Sequence, residues 1–219
     1  MSMNLQQPCG FGLDYNFDMA TPLTVALLAG GKSSRMGTDK SFVQVLGRPL
    51  IEDILAQVAG LGTETLIVTN RPDDYRYLGL PLFSDVLPDK GALGGIYTAL
   101  HSATQPHVFC FACDMPFIVR PLLEYFITLM AEANADVIMP RLGAESEPFR
   151  ALYARSCLAP IRAALEAGKM RVISFFPEVR VRFVDEAEID RFDPVHRSFF
   201  NVNTPDDLAQ ARLLAETRP

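Results

Sequence analysis

The run Leu23-Thr-Val-Ala-Leu-Leu-Ala29 offers almost no polar side chain to water, and it breaks off into a glycine-rich polar stretch over 30–40. A strand apolar on both sides has to be covered on both faces, as strands of parallel sheets are. The chain must therefore wrap helices around a sheet, and the rest of the sequence supplies them. Pro49 opens a helix with apolar positions Leu50, Ile54, Leu55 and Val58, stopped by Gly60 and Gly62. Strands are expected over 65–69, 80–83, 108–113, 135–139, 149–153 and 179–183. Further helices are expected near 95–102, 121–133, 158–167, 171–175 and 205–216. Strands alternating with helices give an α/β fold of three layers, with a mostly parallel, Rossmann-like sheet between two helical layers. Residues 1–22 show no periodicity and read as a tail without ordered structure, and 23–219 as one domain; Met19 is a candidate start.

In such sheets ligands bind beyond the C-terminal ends of the strands. Four polar features fall there: the 30–40 loop, Asn70, Asp85 and Asp114. The net charge of -6 argues against a nucleic-acid binder, which needs a basic face, but not against a small phosphorylated ligand. No apolar stretch approaches the roughly 18 residues of a membrane span, and the N-terminus lacks a signal pattern, so the expected location is the cytoplasm. Cys110 and Cys113 form a C-x-x-C, yet residues three apart on a strand face opposite sides. Small buried hydrophobes in a reducing compartment are the expected reading. His101, His107 and His196 fall in no catalytic pattern.

The loop Leu28-Ala-Gly-Gly-Lys-Ser-Ser-Arg-Met-Gly-Thr-Asp-Lys40 fits neither familiar phosphate motif. A Walker A loop ending at Ser33 would need glycine where Ala26 stands, and Lys32 occupies the second glycine of a dinucleotide fingerprint. Its chemistry is still that of a phosphate site. Gly30 and Gly31 allow close backbone approach, and Lys32, Arg35 and Lys40 can neutralise a triphosphate. From spacing alone, a solvated basic loop stays open as an alternative.

This loop, followed by Gly47-x-Pro-Leu50, resembles the signature of nucleotidyltransferases with the nucleotide-diphospho-sugar-transferase, or glycosyltransferase-A-like, fold. Leu28-Ala-Gly-Gly31 and Asp39-Lys40 resemble the molybdenum-cofactor guanylyltransferases in particular. The likeness continues through Asp85, Gly91-Ala-Leu-Gly-Gly95, Cys113-Asp-Met-Pro-Phe117, Glu147-Pro-Phe-Arg-Ala-Leu-Tyr153, Gly168-Lys-Met-Arg-Val172 and Asn201-Val-Asn-Thr-Pro-Asp-Asp-Leu208. Several separated motifs in order are far more specific than any one alone, and together they cover nearly everything after residue 22.

The resemblance implies that Leu28, Ala29, Gly30 and Gly31 hold guanine and ribose through the backbone, with Asn70 and Asp85 completing the nucleoside pocket. It implies that Lys40 and Arg35 stabilise phosphate charge during transfer. Asp114 would coordinate Mg²⁺, a hard ion that suits carboxylate oxygen plus substrate phosphate. As a local alternative, Asp114 could cap a helix or sit in a turn. Asn201 and Asn203 would lie near the metal or the pterin phosphate, although Thr204 and Asp207 also explain that segment as a helix cap. Glu145, Glu147 and Arg150 fall where the second substrate is expected, with a surface charge cluster as the alternative.

The implied reaction is attack by the terminal phosphate of molybdopterin on the α-phosphorus of GTP, with release of pyrophosphate. A phosphate is already anionic at neutral pH, so the obstacle is repulsion between anions rather than the lack of a base. Transfer of CMP to the same pterin, and sugar-phosphate nucleotidyl transfer, remain alternatives. So does a nucleotide-binding adaptor without catalysis. Beyond GTP and molybdopterin, candidate partners are molybdoenzyme apoproteins or other cofactor-biosynthesis proteins; nucleic acid and membrane are not expected.

Overall fold

The computed structural model describes residues 21–30, 40–45 and 47–216. Among them, eight strands form one sheet: β1 (Leu23–Leu28), β2 (Glu64–Val68), β3 (Leu82–Phe83), β4 (His107–Ala112), β5 (Val137–Leu142), β6 (Glu145–Ser146), β7 (Arg150–Ala154) and β8 (Val181–Val184). The order is β3-β2-β1-β4-β7-β5, with β8 pairing along β5 and β6 folding back on the end of β5. The first four strands are mutually parallel, and β7 enters antiparallel between β4 and β5. The helices are α1 (Leu50–Val58), α2 (Pro72–Tyr75), α3 (Gly91–Ser102), α4 (Arg120–Glu132), α5 (Leu158–Glu166), α6 (Glu186–Ile189) and α7 (Pro205–Glu216).

Strand side chains alternate between faces, and the buried residues sort accordingly. Leu23, Val25 and Leu27 of β1, with Phe109 and Phe111 of β4, meet Ile51, Ile54 and Val58 of α1 and Leu122, Phe126 and Leu129 of α4. On the other face Ala26, Val108 and Cys110 meet Ile96 and Leu100 of α3 and Ile161 and Leu165 of α5. Each large side chain so covered contributes on the order of 2 kcal/mol. Cys110 and Cys113 fall into these two opposite layers, which confirms that the pair cannot share a ligand. Cys110, Cys113 and Cys157 are all free and buried. Burial pushes the Cys113 and Cys157 thiols up to about 12.

Two expected elements need correction. Helix α3 starts at Gly91 rather than near Gly95, so the glycines lie inside its first turns. A Cβ on Gly95 would stand 2.8 Å from Leu28 Cδ2, so a larger residue there would have to displace the Leu28 side chain at the end of β1. The helix expected at 171–175 is a 3₁₀ segment, Val172–Glu178, with Pro177 inside it. Proline has no N–H to give and clashes with the carbonyl four residues back, which rules out an α-helical continuation. Strand β6 and helices α2 and α6 were not anticipated. Asp185 and Glu188 cap α6 reciprocally, Glu188 N donating to Asp185 Oδ1 at 3.1 Å.

No described helix is long and apolar enough to cross a membrane. The expected tail over 1–22 lies, but for its last two residues, outside the described residues.

Candidate functional site

The C-terminal ends of β1, β2, β3 and β4 share one edge of the sheet because the four strands are parallel. Leu28 is half-buried there, Ala29 is buried and Gly30 is exposed. Ala29 N donates to Val68 O at 2.9 Å, and Thr69 N to Phe83 O at 2.8 Å, so pairing persists to the last residue before the site. Among the described residues, nothing lies within 4 Å of where a Gly30 Cβ would stand.

The structure brings Asn70 and Asp85 together. Asn70 Nδ2 donates to Asp85 Oδ2 at 2.7 Å, and Asp85 N donates to Asn70 Oδ1 at 2.9 Å. This reciprocal pair locks the ends of β2 and β3 with two polar side chains at the exposed rim. Val86 N then donates to Thr98 Oγ1 at 3.0 Å, fastening the same loop to α3.

Asp114 stands in the turn directly after β4 and does not cap α4, whose N-cap is Val119. Its carbonyl accepts from Val202 N at 2.8 Å. Val202 is buried with Val45, Leu50 and Phe117, while Asn201 and Asn203 on either side are half-buried. The Asn-x-Asn segment is thus anchored on the residue it was expected to accompany. Thr204 and Asp207 also form the expected cap, Thr204 N donating to Asp207 Oδ2 at 2.8 Å and Asp207 N to Thr204 Oγ1 at 3.1 Å. The cap and the backbone bond to Asp114 coexist in this segment.

The loop after Asp114 is gripped from both sides. Gln57 of α1 donates to Pro116 O at 2.8 Å and accepts from Ile118 N at 3.1 Å. Arg150 donates through Nη2 to Met115 O at 3.0 Å and to Phe117 O at 3.4 Å. Neither clamp was read from the sequence, since both join residues distant in the chain. Glu147 accepts from Phe149 N at 3.1 Å, and burial raises its carboxyl pKa above the ordinary value. Glu145 instead lines a cleft of about 950 Å³ beside the β5–β6 hairpin, with Arg141, Arg171, Phe176 and Phe183. The Arg141 guanidinium lies 4.7 Å from the centre of the Phe183 ring.

The remaining candidates lie elsewhere. Gly31 and Arg35, with Lys32, fall outside the described residues, as does the side chain of Lys40. Among the described residues no three His, Cys, Asp or Glu side chains cluster as a metal cage. Magnesium does not need one. It takes one or two carboxylates, substrate phosphate and water, and Asp114, half-buried in the turn just past the end of β4, fits that donor set.

A mostly parallel sheet with β7 reversed between β4 and β5, and polar groups at its carboxyl edge, defines the class as a nucleotidyltransferase-type α/β fold. A 2-C-methyl-D-erythritol 4-phosphate cytidylyltransferase from Thermus thermophilus shares it, with a TM-score of 0.63 at 18% identity over 88% of this chain and 98% of that one. Much nearer in sequence is molybdopterin-guanine dinucleotide biosynthesis protein A from Archaeoglobus fulgidus, with a TM-score of 0.79 at 28% identity over 89% of this chain and all of that one. A molybdenum cofactor guanylyltransferase of Syntrophotalea carbinolica is 36% identical over 189 residues, 86% of this chain and 90% of the relative. The MobA-like NTP transferase domain matches residues 25–180. The chain belongs to the molybdenum cofactor guanylyltransferase family of MobA-like NTP transferases.

Proposed function

We infer that this chain transfers GMP from GTP to molybdopterin, in a Mg²⁺-dependent reaction in the cytoplasm. The observation that carries the reading is the convergence at one sheet edge. The Ala29–Gly30 backbone, the Asn70–Asp85 pair and Asp114 with its Asn201–Asn203 segment all follow the carboxyl ends of parallel strands or bond to a residue that does, and this supports a nucleotide site there.

Guanine and ribose lie against the ends of β1 and β2, held by backbone groups of 28–30 and by Asn70 and Asp85. Lys40 and Arg35 neutralise the triphosphate. The terminal phosphate of the pterin forms a bond to the α-phosphorus of GTP, and the bond from that phosphorus to the bridging oxygen breaks, releasing pyrophosphate. Asp114 is the carboxylate that would hold Mg²⁺, and the ion when bound supplies positive charge against the repulsion between two anionic phosphates. The protein's own task is to align the reactants and exclude alternatives, because a phosphate nucleophile needs no base. The cleft bounded by Arg141, Arg171 and Phe183 offers the pterin cationic and aromatic contacts beside this edge.

Base choice is tested by melting the protein with nucleotide and Mg²⁺. GTP should raise the melting temperature more than CTP, ATP or UTP; a larger rise with CTP would leave the fold and remove the guanylyl assignment.

A further inference from the structure

Arg150 is the largest fully buried side chain described, with 0% exposure. Nη2 serves Met115 O and Phe117 O, and the guanidinium lies 5.3 Å from the centre of the Phe111 ring. Among the described residues, Nε and Nη1 meet no acceptor. Burial lowers its pKa to about 10, opposed by the charges of Glu147, Asp114 and Asp193, so it stays cationic at neutral pH. A buried charge with unmet donors is an expensive way to fill a core position. A hydrophobe of similar volume at such a place is often neutral or stabilising. Stability alone therefore gives no reason for arginine here.

Position gives one. Strand β7 runs against β4, with Arg150 opposite Phe111, so the first residue of β7 arrives at the edge where β4 ends and Asp114 begins. Gln57 grips carbonyl 116 and amide 118 of the loop without charge, whereas Arg150 grips carbonyls 115 and 117 with a full positive charge. We propose that Arg150 is a positioning residue for the metal carboxylate. It holds the turn that presents Asp114, and its charge beneath the acidic groups keeps the ion loosely enough bound to stay shared with the reacting phosphates. This rests on Asp114 being the Mg²⁺ ligand.

The two actions predict opposite movements, which a merely structural role would not produce. In Arg150→Met or Arg150→Gln a repelling charge is gone, so Mn²⁺ should bind about threefold to tenfold more tightly. Turnover at saturating metal should nevertheless fall about tenfold or more, because the turn is less well fixed. Arg150→Lys keeps the charge but not the two-carbonyl fork, so its Mn²⁺ affinity should stay within about twofold of the parent while turnover falls. Gln57→Leu loosens the same loop without changing charge; turnover should fall with no gain in Mn²⁺ affinity. Binding is read without turnover by electron paramagnetic resonance, titrating Mn²⁺ in the presence of GTP methylene-bridged between its α and β phosphorus atoms. Asp114→Asn is the reference, and Arg150→Gln keeps the test alive should Arg150→Met fail to fold. An Mn²⁺ site indifferent to Asp114→Asn would overturn the metal reading and this inference together. An Asp114-dependent site whose affinity is unchanged or weaker when Arg150 is neutralised would overturn the role of Arg150 alone.

Discussion

The two halves of the sheet reach the same edge by different routes. In the parallel half, β3-β2-β1-β4, each strand ends at the same edge, and residues just after the strands are there by construction: Gly30, Asn70, Asp85 and Asp114. In the other half the reversed strand β7 brings its beginning, not its end, to the edge, so Arg150 arrives as part of a strand and is buried. The parallel half offers backbone and small polar groups suited to a nucleotide. The mixed half offers arginines and aromatic rings around a wide cleft. The proposed division of labour is one substrate in each half, with Asp114 at the seam.

The sharpest way to break this division is at the seam. Asp114→Asn keeps the shape and loses the charge, and turnover should fall by about a hundredfold or more, with folding nearly unchanged. Near-parental turnover in a folded Asp114→Asn protein would remove the metal role. Next come paired substitutions on either side. Asn70→Ala and Asp85→Ala should each weaken GTP binding about tenfold while leaving the KM for the pterin alone. Arg141→Ala and Arg171→Ala should do the reverse. Steady-state kinetics with each substrate varied in turn separates them, and a substitution that moves both constants equally would erase the boundary between the halves.

A smaller effect concerns how the mixed half is held at its far edge. Asp136 accepts from Arg180 N and Nε at 3.0 Å and from Ser156 Oγ at 2.9 Å, joining the starts of β5 and β8. The Arg180 side chain, first among these donors, holds the carboxyl down at about 2. A depressed folded pKa stabilises the fold above the unfolded value and is lost as pH falls. Asp136→Asn should therefore cost about 1–2 kcal/mol at pH 7. The difference from the parent should vanish as pH drops from about 4 towards 2, as thermal melts across that range would show. A constant difference throughout would mean that the bond does not depend on charge. The smallest effect is expected at the N-terminus, where a chain beginning at Met19 should melt and turn over like the full one. Loss of soluble protein on that truncation would tie the tail to the domain.

How much of this was legible beforehand follows the same division. Long apolar runs mark β1, β2 and β4 in the sequence, and the rule that ligands gather at carboxyl ends assigns Asn70, Asp85 and Asp114 to one edge. Thr204 and Asp207 declared the cap of α7 by their spacing. The rule is silent on a reversed strand, so the burial of Arg150 under Asp114 could not be read from spacing. Nor could the alternating grip of Arg150 and Gln57, which closes loops of 35 and 59 residues. Pro177 in the sequence argues against an α-helix that continues after Arg171. The most specific sequence motif, the loop from Gly31 to Asp39, lies outside the described residues, so its contribution rests on the resemblance.

The central claim is that GMP passes from one half to the other at Asp114, and direct product counting tests it. With GTP, Mg²⁺ and molybdopterin all present, the purified chain should release one pyrophosphate for each guanine dinucleotide formed, measured by coupled phosphate detection and mass spectrometry. Omitting the pterin should abolish release, and CTP should substitute poorly. Pyrophosphate release independent of the pterin, or a cytosine dinucleotide formed as fast as the guanine one, would contradict the account.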